Sequence, residues 1–138
     1  MQTNLIYKII LPILLIGLAG HAQSADEPPE MTCYEPFSQF EMNQCALKAF
    51  ELADIELNNE YKKALKAAIE IDGYLSDDLR GAKPALMAAQ RAWIKYRDLA
   101  CTSEGFSYRG GTMEPFLVSA CKEDLTRARA ERLHHLGE

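Results

Sequence analysis

The sequence lacks the patterns that metal sites and most enzyme sites require. It has no Cys-x-x-Cys pair, which argues against a zinc site and against c-type haem attachment. His134 and His135 are adjacent, so they do not share a helix face as paired metal ligands would. No phosphate-binding glycine loop and no nucleophile–base pair is visible. We therefore expect no metal, no cofactor and no catalytic activity.

Positive charge is also scarce. The chain carries 15 Lys and Arg against 20 Asp and Glu, for a net charge of −5. An acidic domain is a poor nucleic-acid binder, whereas it attracts cationic protein partners and accelerates their association.

The only long hydrophobic run lies near the N-terminus, from Ile9 to Gly20, and is too short to span a membrane. Lys8 precedes it, and Ala22-Gln23-Ser24 follows with small residues at the positions that signal peptidase reads. We predict a signal peptide over residues 1–24 and a periplasmic or secreted product. His21 stands where a lipoprotein signal needs cysteine, so no stable membrane anchor is expected after cleavage.

Four cysteines follow the predicted cleavage site: Cys33, Cys45, Cys101 and Cys121. Because export places them in an oxidising compartment, two disulfides are expected.

The first helix is predicted from Ser38 to about Ile71. Ser38 and Glu41 have the spacing of a capping box, and apolar residues then recur every three or four positions. Asp72-Gly73 is predicted to end this helix.

The second helix is predicted from about Asp78 to Cys101, with Ser76, Asp77 or Asp78 as its cap. Pro84 either kinks this helix or marks its true first turn, in which case Leu79 to Lys83 forms a separate turn.

The stretch from Gln90 to Asp98 contains the single tryptophan and an ion-pair-capable edge formed by Arg97 and Asp98. Helical spacing places Trp93 on one face together with Leu86, Ala89, Tyr96 and Ala100. This pattern is typical of a core tryptophan in a helix that packs on other helices, and a ligand platform is the alternative.

Residues 102–112 are predicted to be an extended connection, and the third helix begins near Thr112 to Pro115. Its predicted apolar stripe includes Phe116, Ala120, Leu125, Ala128, Leu133 and Leu136. The connection contains a possible binding loop, made of Phe106, Tyr108, Arg109, Gly110 and Gly111. The alternative is a glycine-rich connector whose aromatic residues cap the end of the bundle.

These elements predict an all-α fold, a small three-helix antiparallel bundle over residues 38–138 that follows an acidic, proline-rich segment at 25–37. All four sulfurs then gather at one end. Proximity leaves the pairing open, and Cys33–Cys45 with Cys101–Cys121 is favoured because each closes a short connection.

Asp54 and Asn58 fall on or beside the apolar stripe that includes Tyr61. Either residue is expected to bond the Trp93 indole or an arginine of the second helix, because buried polar groups need partners. A position at the solvent boundary is the alternative for both.

The chain resembles the lysozyme inhibitor LprI-like family of small exported bacterial proteins. The matching segments are Glu41–Cys45, Asp54–Asn58 with Tyr61, Gln90–Asp98 with Cys101, Gly110–Thr112, Pro115, Ser119–Cys121 and Leu125–Arg129. The resemblance covers essentially the whole exported chain, and it implies a helical four-cysteine domain that inhibits lysozyme.

Three functions follow as hypotheses. The resemblance implies an inhibitor of lysozyme. The active-site cleft of lysozyme holds two carboxylates, and the loop around Arg109 would enter this cleft. The second is a structural or interaction module of the cell envelope that uses the acidic face of Glu51, Glu56 and Glu60 and has no lysozyme activity. The third and weakest hypothesis is an enzyme, because the sequence shows no nucleophile–base pair. The oligomeric state is not encoded in these patterns.

Overall fold

The computed structural model describes residues 33–36 and 38–138, so the predicted signal peptide and most of the segment at 25–37 lie outside the described residues. Three α-helices and one short 3-10 helix follow in order: α1 (Gln39–Tyr74), α2 (Ala82–Gly105), the 3-10 helix (Phe106–Tyr108) and α3 (Glu114–Leu136). No strand occurs within these ranges. None of the described helices is long and apolar enough to cross a membrane.

The three helices pack as an up-down-up bundle. Asn43 of α1 bonds Thr112 just before α3, and Glu56 lies 3.5 Å from Arg127 further along both helices, so α1 and α3 run parallel. α2 runs antiparallel to both, since Cys101 bonds Cys121 whereas Gln90, earlier on α2, bonds Arg129, later on α3. The predicted three-helix bundle is therefore confirmed. Its apolar core is made of Leu57, Ala64, Ala130 and Leu133, with Tyr61, Leu86 and Trp93 packed against it.

The start of α1 is the predicted capping box. Ser38 Oγ accepts a hydrogen bond from the Glu41 N–H at 3.2 Å, and Glu41 Oε2 accepts one from the Ser38 N–H at 2.9 Å. The predicted end was wrong, because the helix continues through Asp72 and Gly73 to Tyr74.

The carboxylate of Asp72 caps the start of α2 instead. It accepts hydrogen bonds from the N–H groups of Gly81 (2.8 Å), Ala82 (2.8 Å) and Lys83 (3.0 Å). These donors are the unpaired amides of a helix N-terminus, and they lower the pKa of Asp72. The predicted caps Ser76 to Asp78 and the predicted start at Asp78 were therefore wrong. Pro84 lies in the first turn of α2, as in the alternative reading.

The inward face of α2 is rotated from the predicted one. Gln90, Arg97, Cys101 and Gly105 are buried, whereas Tyr96 is 60% exposed and Ala89 is exposed. Two overlapping helical stripes fit the same segment, and the one with polar residues turns inward because those residues find partners there.

The predicted stripe of α3 was wrong in part, for the same reason. Leu133 is fully buried, but Ala128 and Leu136 are exposed. Thr126 and Ala130 take the inward positions instead.

Candidate functional site

Both disulfides lie at the end of the bundle where α2 leads into α3. Cys33 bonds Cys45 and Cys101 bonds Cys121, with Cα–Cα distances of 5.5 and 5.4 Å. The favoured pairing is confirmed. We call residues 106–112, which cross this end between α2 and α3, the tip loop.

The tip loop starts from a tightly packed glycine. Gly105 is buried, and a Cβ atom at this position would lie 2.6 Å from Val118 Cγ2. Such a contact is too short without a shift of Val118, so the close approach of α2 to α3 depends on glycine here. The predicted end of α2 at Cys101 was wrong, because α2 continues for four more residues, to Gly105. These residues were predicted to belong to an extended connection.

The backbone of the tip loop is held by its own hydrogen bonds. The Arg109 N–H donates to the Phe106 carbonyl at 3.2 Å, and the Gly111 N–H donates to the Tyr108 carbonyl at 2.8 Å. Gly110 has φ +78°, the left-handed conformation that glycine adopts without strain. The side-chain amide of Asn43 donates to the Thr112 carbonyl at 2.9 Å and so ties the loop to α1.

Glu114, at the first turn of α3, fixes the polar side of the loop. Its Oε1 lies 2.6 Å from Arg109 Nη1, and its Oε2 accepts a hydrogen bond from the Gly110 N–H at 2.7 Å. The Gly110 bond and, to a smaller extent, the Arg109 contacts hold the pKa of Glu114 below its ordinary value. The Arg109 guanidinium lies 4.8 Å above the centre of the Phe106 ring.

The tip loop therefore presents a group of accessible side chains. Phe106 is 58% exposed and Tyr108 is 50% exposed. The side chain of Arg109 is 61% exposed despite its ion pair. Two aromatic surfaces and a guanidinium are the groups that most often dominate protein interfaces. This geometry suits insertion into a cleft that offers a carboxylate and apolar or sugar-binding walls.

A buried polar network lies below the tip and joins all three helices. Arg97, which is 7% exposed, donates to Asp54 Oδ1 and Asp98 Oδ1 at 3.0 Å each and to Thr126 Oγ1 at 3.3 Å. Its guanidinium also lies 4.9 Å from the centre of the Phe50 ring and 5.3 Å from that of Trp93.

The structure brings together most of the predicted network residues. Asp54 bonds an arginine of α2, although its side chain is still 39% exposed and so also lies at the solvent boundary. Asn58 is exposed and bonds Asp54 Oδ2 at 3.0 Å rather than a residue of α2. Tyr61 packs against the apolar core.

Two contacts of this network were not predicted from the sequence. Thr126 is fully buried against Arg97, and Lys122 lies 3.4 Å from Asp98. Helical spacing places both on the same side of α3 as Ala130 and Leu133, so the pattern held a usable signal.

The acidic face of α1 is partly neutralised. Glu56 pairs with Arg127, and Glu60 lies 2.7 Å from Lys63 and 3.1 Å from His134. The hydrogen bond from Lys63 and, to a smaller extent, the contact with His134 lower the pKa of Glu60. Glu51 is exposed and no ion pair to it is seen among the described residues. Within the same part of the chain, no group of three His, Cys, Asp or Glu side chains is arranged to hold a metal ion.

Comparison with known proteins places the chain in a family. The family described as "Lysozyme inhibitor LprI" matches residues 33–133. An uncharacterised protein of Rhizobium meliloti is 42% identical over 130 residues, which cover 92% of this chain and 94% of that protein. The crystal structure of a DUF1311 family protein from Pseudomonas putida superposes with a TM-score of 0.61 at 24% identity, covering 71% of this chain and 92% of that one.

The structural likeness, at this level of identity, concerns the fold. The family match spans most of the chain and includes α1, α2, α3 as far as Leu133, all four cysteines and the tip loop described above. This protein therefore belongs to the lysozyme inhibitor LprI family.

Proposed function

We propose that this protein is an exported bacterial binding protein that inhibits lysozyme by inserting its tip loop into the active-site cleft. Membership of the LprI family supports the target. The observation that carries the mode of action is the tip itself, where Glu114 holds Arg109 and Gly110 while Phe106 and Tyr108 stay half exposed. A loop that is ordered before binding loses little conformational entropy when the complex forms.

The chemistry of the tip matches that of a glycosidase cleft. Retaining glycosidases of the lysozyme type use two carboxylates about 5 Å apart, with sugar subsites on either side. A guanidinium has five N–H donors, and Glu114 Oε1 engages Arg109 through Nη1, so further donors remain for a carboxylate of the target. In this proposal Tyr108 occupies a sugar subsite next to that carboxylate.

The charge of the chain supports the encounter. A net charge of −5 attracts a cationic enzyme and increases the rate of association. Raised salt is therefore expected to weaken inhibition, mainly through slower association.

Export is part of the same proposal. Both disulfides are formed in the structure, and such bonds persist in oxidising compartments outside the cytoplasm. The predicted signal peptide at residues 1–24 would deliver the chain there.

A titration of lysozyme activity with the oxidised protein tests the proposal. The tip variant Tyr108→Ala/Arg109→Ala is compared with the control Tyr74→Ala/Arg80→Ala near the other end of the bundle. Tyr74 is 91% exposed and Arg80 pairs with Asp77 at 2.6 Å, so the control also removes one exposed tyrosine and one surface ion pair.

The wild-type protein and the control are expected to inhibit alike, whereas the tip variant loses at least about tenfold in affinity. Equal inhibition by all three proteins would refute the role of the tip. Unchanged lysozyme activity with the wild-type protein would refute inhibition itself.

A second candidate function is an interaction module of the cell envelope without lysozyme activity. Exposed apolar side chains favour it, since Leu52 and Ile55 on α1 and Leu99 on α2 are 56%, 59% and 61% exposed. This alternative would be supported if a pull-down from an envelope extract recovers a specific partner other than lysozyme and if the protein leaves lysozyme activity unchanged.

A further inference from the structure

A cluster of basic side chains lies near the end of α3, away from the tip loop. It lines an open cavity of about 320 Å³, whose lining residues Arg129, Arg132, His135 and Leu136 all belong to α3. Arg129 is oriented from α2, because its Nε donates to Oε1 of Gln90 at 3.1 Å and Gln90 is 6% exposed. The cavity thus has one anchored guanidinium, a second one turn along the helix, and an imidazole one turn further.

The two arginines of this cavity differ from most others in the protein. Four arginines pair with carboxylates: Arg80 with Asp77, Arg97 with Asp54 and Asp98, Arg109 with Glu114, and Arg127 with Glu56 and Glu123. In the part of the chain that the structure describes, neither Arg129 nor Arg132 forms an ion pair. This is unexpected in a chain with more acidic than basic residues.

The arrangement leaves like charges facing each other. Side chains three residues apart on a helix are neighbours, so Arg129 and Arg132 repel each other. Partial burial and the charge of Arg132 lower the pKa of Arg129. The negative end of the α3 dipole reduces this cost, but no hydrogen bond from either guanidinium to a carbonyl of that helix end is seen among the described residues. An anion with several oxygens would relieve the repulsion and accept bonds from both arginines.

The remaining residues also suit an anion. His135 adds a ring nitrogen one turn beyond Arg132, and its Nδ1 lies 3.3 Å from Glu138 Oε2 at the edge of the cluster. Leu136 supplies an apolar wall. Sites for small molecules begin at about 300 Å³, so the cavity is large enough for a small organic group beside the anion.

We propose that this cavity is a binding site for a phosphate-class oxyanion, either free phosphate or the phosphoryl group of a small phosphorylated molecule. Arg129 and Arg132 donate to its oxygens, and His135 provides a third contact. The site is separate from the tip loop and does not depend on lysozyme binding.

An NMR titration with inorganic phosphate at constant ionic strength tests the proposal on the oxidised protein. Saturable shifts are expected for the side-chain Nε–H groups of Arg129 and Arg132 and for the His135 ring. Arg132→Gln should weaken binding by at least about tenfold, because it removes one of two charged donors. Since Arg132 is exposed and no hydrogen bond to its side chain is seen among the described residues, this variant is expected to fold normally.

Arg127→Gln is the matched control, with the same change of charge on the same helix but outside the cavity. It should bind phosphate as the wild-type protein does. A parallel titration with glycerol phosphate separates the two sources of the anion. If glycerol phosphate binds more tightly than inorganic phosphate, the ligand is a phosphorylated molecule. If the two bind equally, the ligand is free phosphate. Shifts that do not saturate, or equal weakening by Arg127→Gln and Arg132→Gln, would overturn the site in favour of general charge screening.

Discussion

Replacement of Arg97 by alanine tests the network that joins the three helices. The substitution removes two ion pairs, a hydrogen bond to Thr126 and the contacts with the Phe50 and Trp93 rings. Removing one partner of a buried ion pair costs about 3–5 kcal/mol. Asp54 and Asp98 are 39% and 46% exposed and regain water in the variant, which places the expected cost at the lower limit.

We therefore expect Arg97→Ala to lower the free energy of unfolding by about 3 kcal/mol, a large part of the 5–15 kcal/mol typical of a domain. Urea unfolding of the oxidised protein, followed by far-UV circular dichroism, measures this change. Arg91→Ala is the control, because Arg91 is exposed on the same helix and is expected to change stability by less than about 0.5 kcal/mol.

A double-mutant cycle with Asp54→Ala then isolates the contact between α1 and α2. Residues in direct contact usually couple by about 0.5–3 kcal/mol. A loss below about 1 kcal/mol for Arg97→Ala, or the absence of coupling with Asp54, would refute the conclusion that this network holds the helices together.

Two further predictions concern the ends of α2. Gly105→Ala is expected to destabilise the protein by about 1–3 kcal/mol because its Cβ would meet Val118. The control Gly73→Ala, whose Cβ has no atom within 4 Å, should be neutral or stabilising. Thermal unfolding compares the two variants, and equal effects would contradict the close packing of α2 on α3 at Gly105. Asp72→Asn should lower the unfolding temperature at neutral pH. The pKa of Asp72 is lowered in the folded protein, so its carboxylate stabilises the fold above the ordinary pKa of 3.8. This stabilisation is lost as the pH falls through the pKa of the folded state. The difference between Asp72→Asn and the wild-type protein should therefore disappear in acid, and a constant difference across pH would contradict the cap.

Local patterns were sufficient to predict most of the fold. The capping box of Ser38 and Glu41 is visible in four consecutive residues, and the helices follow from apolar spacing. The predicted three-helix topology brings the cysteines to one end, and the confirmed pairing is the one in which each disulfide closes a short connection.

The errors arose where distant groups determine the outcome. Asp72 caps a helix that begins ten residues later, and no local pattern announces this contact. Tyr96 and Arg97 each fit an inward stripe of α2, and the choice depends on partners that other helices supply to Arg97.

The candidate site shows the same division. Glycines at 110 and 111 predicted a loop, and the aromatic and guanidinium groups are visible in the sequence. The sequence did not identify Glu114 as the residue that binds both Arg109 and Gly110. The spacing of Arg129 and Arg132 is visible in the sequence too, but the cavity that they line appears only in the structure.

Hydrogen–deuterium exchange of the oxidised protein, alone and with lysozyme, tests the central claim most directly. The account predicts slower exchange on binding at residues 106–112, with little change along the exposed faces of α1 and α2. Protection confined to the acidic face of α1, or no protection anywhere in the chain, would contradict insertion of the tip loop into the enzyme.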